Sequence, residues 1–136
     1  MEVLVHHAEK VRQMYEAFNR GDIPSVLSNI HHDCIWEVMG QPEIPYAGIY
    51  HGIEDCTNFF KKLDDTIEFK EMVPEHILET GNTVISFGHM KGLIRKNDKL
   101  FSSIFAMIYE VNDDGQILHF RDCLDTLTVA RAINSK

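Results

Sequence analysis

Residues 83–111, TVISFGHMKGLIRKNDKLFSSIFAMIYEV, carry the pattern that decides the fold. Two long strand candidates, Thr83 to Ile94 and Leu100 to Val111, are separated by the turn residues Lys96-Asn97-Asp98. Short polar turns between long strands indicate antiparallel neighbours in a sheet. The stretch therefore predicts a hairpin at the centre of a β-meander.

The same hairpin chemistry continues on both sides of this stretch. Ile67 to Glu79 and Gln116 to Asp125 are further strand candidates, set off by Gly81-Asn82 and by Asp113-Asp114-Gly115. An earlier strand is expected over Asp33 to Met39. The predicted sheet is a curved antiparallel meander.

Helical periodicity is confined mainly to the first half of the chain. Apolar residues recur at helical spacing from Ala8 to Phe18, and Gly21 can end that helix. Asp22 is expected to N-cap a short second helix, and Ile53 to Leu63 forms the apolar stripe of a third. Gly40 to Gly52 is expected to be a structured loop. Helices followed by a sheet indicate an α+β fold, with a short closing helix over Val129 to Ile133.

Composition bounds the class of protein. The 136 residues are expected to form a single domain, 1–136, and 44% hydrophobic residues with 25% charged ones are typical of a globular protein. The net charge is −8 and no basic block is present, which argues against nucleic acid or an anionic membrane surface as a partner.

Cysteine usage and the first residues predict the compartment. Cys34, Cys56 and Cys123 are far apart in sequence and have apolar neighbours, which favours reduced, buried thiols. The start of the chain shows no leader pattern, and no stretch has membrane-spanning length. We therefore expect a cytoplasmic protein that does not enter the membrane.

The last strand contains two carboxylates in an apolar run, Phe120-Arg121-Asp122-Cys123-Leu124-Asp125. Alternation puts Asp122 on one face of this strand and Asp125 on the other. Either face, when covered, would bury an acid, and a buried acid with a shifted pKa can serve as a general base or acid. Asp122 could fill that role or be a satisfied strand residue, while Asp125 could also cap the closing helix.

With these residues in place, the chain resembles the nuclear transport factor two-like superfamily, and within it the SnoaL-like polyketide cyclase and ketosteroid isomerase-related group. The resemblance is carried by four segments in the expected order: residues 15–22 (YEAFNRGD), 33–36 (DCIW), 45–52 (PYAGIYHG) and 114–126 (DGQILHFRDCLDT).

The resemblance implies a cone-shaped curved sheet, a cystatin-like α+β barrel, wrapped around an apolar pocket that three N-terminal helices close. It also implies a catalytic role for Asp122, because residues 120–125 are similar to the limonene epoxide hydrolase segment Trp-Arg-Asp-Tyr-Phe-Asp. Phe120 and Leu124 would then be pocket walls. His89-Met90-Lys91 stands where that hydrolase has Arg-x-Asp, and Val38 stands near the base position of ketosteroid isomerase.

Further candidate site residues each have a structural alternative. His89 could pair with Asp122 across neighbouring strands, giving two groups with split pKa values, or it could be a core or rim histidine. Lys91 could hold a ligand oxygen or be a rim residue with a buried stem. Trp36 and Tyr46 could line the pocket mouth or simply belong to the aromatic core.

Both sides of the strand Leu100 to Val111 are apolar. We expect Ile104 and Ala106, with Leu93 and Val38, to contribute to the substrate-binding wall. The second apolar side also predicts a homodimer through the outer face of the sheet.

The function expected from these features is a small-molecule enzyme with cofactor-free acid–base chemistry on a hydrophobic substrate that carries a carbonyl. Isomerisation, cyclisation and dehydration share that chemistry. The alternatives are a non-catalytic ligand-binding or dimerisation module and a partner-docking domain. No metal site or cofactor is expected, because metal-ligand spacing and phosphate-binding glycine loops are missing from the sequence.

Overall fold

The fold is α+β, with helices followed by a curved, unclosed sheet of six strands. We describe residues 6–135 from a computed structural model. The elements are α1 (His7–Asn19), α2 (Ile23–Leu27), β1 (Ile30–Val38), β2 (Gly48–His51), α3 (Gly52–Thr66), β3 (Ile67–Thr80), β4 (Thr83–Ile94), β5 (Leu100–Val111), β6 (Ile117–Leu124) and α4 (Thr126–Ile133). The expected cone of helices and meandering strands is confirmed, with a fourth helix at the C-terminal end.

The sheet order is β2-β1-β6-β5-β4-β3. Strands β3 to β6 form the antiparallel meander that the turn chemistry predicts. Strand β1, for which no partner was predicted, runs parallel to β6, with Trp36 opposite Phe120 and Val38 opposite Asp122. One correction concerns the expected loop Gly40 to Gly52, since its last residues form the edge strand β2.

Side-chain alternation gives the sheet an inner and an outer face. On β4 the buried residues are Val84, Ser86, Gly88, Met90, Gly92 and Ile94. On β5 the buried set is Phe101, Ser103, Phe105, Met107, Tyr109 and Val111. Helix α1 packs on β3 and α3 packs on β1, so the core lies between these helices and the inner face.

Local sequence explains where the helices begin. Asp22 caps α2, because its carboxylate accepts hydrogen bonds from the Ser25 amide at 3.2 Å and the Ser25 hydroxyl at 2.6 Å. Asp125 caps α4 in the same way through Thr128. Helix α3 presents Cys56, Phe59, Phe60 and Leu63 to the core at helical spacing.

Candidate active site

An apolar cavity of about 70 Å³ lies between the inner face of the sheet and helices α1 and α3. Its wall is mainly aromatic side chains and methionines, supplied by both helices and by strands β1, β3, β4, β5 and β6. Asp122 is the one carboxylate in this wall. A single acid in an apolar cavity is the arrangement that makes small binding sites selective.

Strand β6 positions Asp122. The residue lies in register with Val38 of β1 on one side and Met107 of β5 on the other. The residue as a whole keeps partial exposure, but its Oδ1 is buried and has no hydrogen-bond partner among the described residues. Burial without a partner disfavours the ionised form and raises the pKa of Asp122 from 3.8 to about 7.

Two tyrosines form a hydrogen-bonded group in the same wall. The Tyr109 hydroxyl donates to the Tyr15 hydroxyl at 3.0 Å, and the Tyr15 hydroxyl lies 2.5 Å from the Ser86 hydroxyl. Burial raises the pKa of both tyrosines, and the negative charge of Asp122 adds to the shift. Both phenols therefore stay protonated at any pH at which Asp122 titrates.

Two further donors line the cavity. Trp36 is 4% exposed and stacks on Phe120 with ring centroids 3.8 Å apart, and its indole Nε1 has no partner among the described residues. Burial, and then the charge of Asp122, raises the pKa of Tyr46. The cavity thus combines one titratable acid with neutral N–H and O–H donors, which is a set suited to proton transfer beside a carbonyl oxygen.

Five of the residues expected at the site lie together. The cavity wall includes Trp36, Tyr46, Phe120, Asp122 and Leu124. Phe120, Asp122 and Leu124 alternate along β6 and point inward. Val38 is buried on the same face as Trp36, where it flanks Asp122 without lining the cavity.

The expected contribution of β4 needs correction, because His89, Lys91 and Leu93 occupy the opposite strand phase from the cavity residue Met90. His89 cannot reach Asp122 from the outer face. Its Nδ1 lies 2.6 Å from a Glu75 oxygen and its Nε2 lies 3.3 Å from Glu71. The hydrogen bond to Glu75 is the main cause that raises the pKa of His89.

The expected placement of Ile104 and Ala106 in the pocket wall is corrected for the same reason. Both lie on the outer face of β5, whereas Phe105 and Met107 point inward. Ile104 is 74% exposed and pairs in register with His89, and Ala106 pairs with Phe87. Ile104, Ala106 and Phe87 line a groove on the outer face.

Asp125 faces away from the cavity and accepts hydrogen bonds from the Thr128 amide and hydroxyl. These bonds hold its pKa below the ordinary value. Of the two open alternatives for this residue, its geometry is that of a helix cap.

The cavity also contains residues that the sequence did not single out as site residues. Tyr15, Tyr109 and the α3 aromatics Phe59 and Phe60 are among them. A signal was present, because a tyrosine in the apolar stripe of a helix or the inner phase of a strand needs a partner for its hydroxyl when buried.

One group of ligand-type side chains lies outside the cavity. His31, His32 and Asp33 offer atoms within 4.8 Å of one another, the largest such group among residues 6–135. The two imidazoles stack at 4.1 Å and His32 pairs with Asp33 at 3.2 Å. None of the three lines the cavity.

No helix within the described part of the chain is long and apolar enough to cross a membrane.

Comparison with known proteins gives a consistent family. A family model described as "SnoaL-like domain" matches residues 11–120. No curated protein matches the chain at a significant level.

Solved structures share the fold over nearly the whole chain. An NTF2-like protein of unknown function from Burkholderia pseudomallei is 25% identical, with 97% of this chain and 100% of that chain covered and a TM-score of 0.89. TerC, co-crystallised with polyporic acid, is 21% identical, with 95% and 98% covered and a TM-score of 0.84. A protein from Xanthomonas campestris described as a putative polyketide cyclase is 18% identical, with 94% and 96% covered and a TM-score of 0.78.

Proposed function

The chain belongs to the SnoaL-like domain family, and we propose that it is a cofactor-free enzyme for proton transfer on a small hydrophobic molecule that carries a carbonyl. The observation that carries the proposal is Asp122 in an apolar cavity, where its buried Oδ1 has no hydrogen-bond partner among residues 6–135 and its pKa is raised to about 7. A pKa near the working pH is what a group that both takes and returns a proton needs.

In the proposed reaction the Asp122 carboxylate removes a proton from the carbon next to the substrate carbonyl. The electron pair moves to the carbonyl oxygen, and a neutral donor stabilises the resulting enolate. The unpartnered Trp36 N–H and the Tyr46 hydroxyl are the available donors. The protonated Asp122 then returns the proton, to a different carbon for an isomerase, or to a leaving oxygen for a dehydratase.

The cavity favours a small, apolar substrate. At about 70 Å³ the free space is modest, so a ring-sized ligand requires the flexible side chains of Met90 and Met107 to shift. Similarity to TerC and to a putative polyketide cyclase supports a carbonyl-bearing ligand for this chain. Isomerisation, aldol-type cyclisation and dehydration all begin with the proton transfer described above.

The proposal is tested by deuterium exchange. Small cyclic ketones are incubated with the protein in D₂O, and deuterium uptake next to the carbonyl is followed by NMR. We expect exchange with the wild type and a loss of about 100-fold or more with Asp122→Asn, which keeps the shape but cannot act as a base. His89→Ala is the matched control and should retain full exchange, since His89 lies on the outer face.

Exchange that survives in Asp122→Asn would contradict the assignment of the base. Ketone binding with no exchange in the wild type would favour the second candidate, a non-catalytic ligand-binding module. The small cavity, with much of its interior filled by aromatic side chains, is the observation that supports that candidate.

We further propose that two copies pair through the outer face of the sheet. Phe87 and Ile104 are 39% and 74% exposed there, and with Ala106 and Cys123 they border the outer groove. A contiguous apolar surface of this kind is rarely left uncovered in solution. A second copy of this surface would cover it by twofold symmetry.

Residues 1–136 would act as a single SnoaL-like domain in the cytoplasm. Free thiols at Cys34, Cys56 and Cys123 fit a reducing compartment. The net charge of −8 argues against nucleic acid as a partner.

A further inference from the structure

Two free cysteines meet in the core beside the cavity wall. Cys34 on β1 and Cys56 on α3 have their sulfur atoms 3.3 Å apart, and both side chains are fully buried. The third cysteine, Cys123, lies on β6 and borders the outer groove. At this separation the two sulfur atoms are in contact. They need to approach by only a little more than 1 Å to reach the disulfide bond length of about 2.05 Å.

We propose that Cys34 and Cys56 are a redox modification site, at which a hydroperoxide oxidises the thiol pair to an intramolecular disulfide that joins β1 to α3. The site is distinct from the cavity, whose wall includes neither cysteine.

The surroundings of Cys34 favour it as the reactive thiol. The backbone N–H of Gly52, the first residue of α3, lies near the Cys34 sulfur. The contact with Cys56 is the main cause that lowers the pKa of Cys34, and the Gly52 N–H adds to the lowering. Burial is the second-largest cause and opposes the shift, as do the charges of Asp33 and Asp55. A thiolate at a helix N-terminus is stabilised by the helix dipole. Cys56, with its thiol as the donor to the Cys34 sulfur, has its pKa raised by that contact and by burial.

The chemistry needs two steps and one oxidant. The Cys34 thiolate attacks one oxygen of the hydroperoxide, the O–O bond breaks, and a sulfenic acid forms at Cys34 while water or an alcohol leaves. The Cys56 sulfur then attacks the Cys34 sulfur, and the S–O bond breaks with release of water. The protein loses two hydrogen atoms and two electrons, and the hydroperoxide is reduced.

The bond would tether a wall of the cavity. On α3, Cys56 lies one turn before Phe59 and Phe60, and on β1, Cys34 lies two residues before Trp36; all three aromatic residues line the cavity. A covalent link between these two elements limits how far the cavity can open. Oxidation should therefore weaken the binding of ligands that need α3 to move.

The test is oxidation of the whole protein with hydrogen peroxide, followed by intact mass measurement and non-reducing peptide mapping. We expect a loss of about 2 Da, a cross-link between the peptides of Cys34 and Cys56, and reversal by dithiothreitol. The closed loop should raise the melting temperature of the oxidised form by roughly 5–10 °C.

Variants separate this site from general thiol oxidation. Cys123→Ser should still form the cross-link, whereas Cys56→Ser and Cys56→Ala should instead accumulate oxygen at Cys34. A wild-type protein that gains oxygen without losing about 2 Da would overturn the proposal. So would a cross-link that involves Cys123, or an oxidised form that melts at a lower temperature than the reduced one.

Discussion

The Asp122→Asn substitution should make the stability of the protein less dependent on pH. In the folded protein the pKa of Asp122 is raised from 3.8 to about 7, so between these values the folded state binds a proton that the unfolded state has released. Stability of the wild type must then fall as the pH rises through this window. Below this pH window Asp122 is protonated in both states and the fall in stability is absent. Above the window Asp122 is ionised in both states and the fall in stability is complete.

The magnitude follows from the size of the shift. A difference of roughly three pKa units corresponds to about 4 kcal/mol, at 1.36 kcal/mol per unit, as an upper limit before the cavity admits water or relaxes. Asparagine cannot ionise, so its cost of burial is constant across the window. The free energy of unfolding of Asp122→Asn minus that of the wild type should therefore increase by about 2–4 kcal/mol from pH 4 to pH 8.

The assay is urea unfolding of both proteins at matched concentration across this pH range. Asp125→Asn is the matched control, because the hydrogen bonds from Thr128 lower the pKa of Asp125. For that group stability is fully present above the unfolded pKa and is lost only as the pH falls below it, so its difference curve should stay nearly flat from pH 4 to pH 8. A flat difference curve for Asp122→Asn would show that burial does not raise the pKa of Asp122.

Three further substitutions test the fold and the assembly. Asp125→Ala should lower the melting temperature by about 3 °C through loss of the α4 cap, and an unchanged value would contradict the cap assignment. Gly88→Ala should lower the free energy of unfolding by about 2 kcal/mol or more, because the added Cβ would lie 1.9 Å from the Val73 carbonyl oxygen. A variant that unfolds at the wild-type urea concentration would argue against this close approach. Ile104→Asp should convert the proposed dimer to a monomer in sedimentation, and a dimer that persists would exclude the surface around Ile104.

The order and antiparallel pairing of strands β3 to β6 could be predicted, because short polar turns join strands that are adjacent in sequence. Thr83 to Ile94 and Leu100 to Val111 match the observed strands residue for residue, since polar turns and period-two patterning bound them on both sides. The parallel pairing of β1 with β6 could not be predicted. It joins segments more than 80 residues apart, and nothing local in either strand specifies its neighbour.

The inward face of β4 was misassigned because its outer face is also apolar. Phe87 and Leu93 share a face with His89, so alternation alone favours either face of the strand. Gly88 and Gly92 alternate on the true inner face, where a Cβ would clash with neighbouring atoms. Glycines in one phase of a strand indicate close approach, and they were the better guide to the inner face.

On β6 the sequence could only present alternatives. Phe120 and Leu124 favoured the face of Asp122, and they do line the cavity. Strand alternation alone made Asp125 an equal candidate for the buried acid. The structure shows that it caps α4 instead, by accepting a hydrogen bond from the Thr128 amide. For Tyr15 and Tyr109 the sequence indicated that each buried hydroxyl needs a partner, but not which one, because the two residues are 94 positions apart and meet only in the folded core.

The central claim is that Asp122 exchanges a proton near neutral pH inside the cavity, and a carbon-13 NMR titration of its carboxyl group measures this directly. The signal is assigned by its absence from Asp122→Asn. We expect a single inflection near pH 7, well above the 3.8 of an ordinary aspartate. An inflection near pH 4 would show an ionised, solvated carboxylate at neutral pH and would contradict the account.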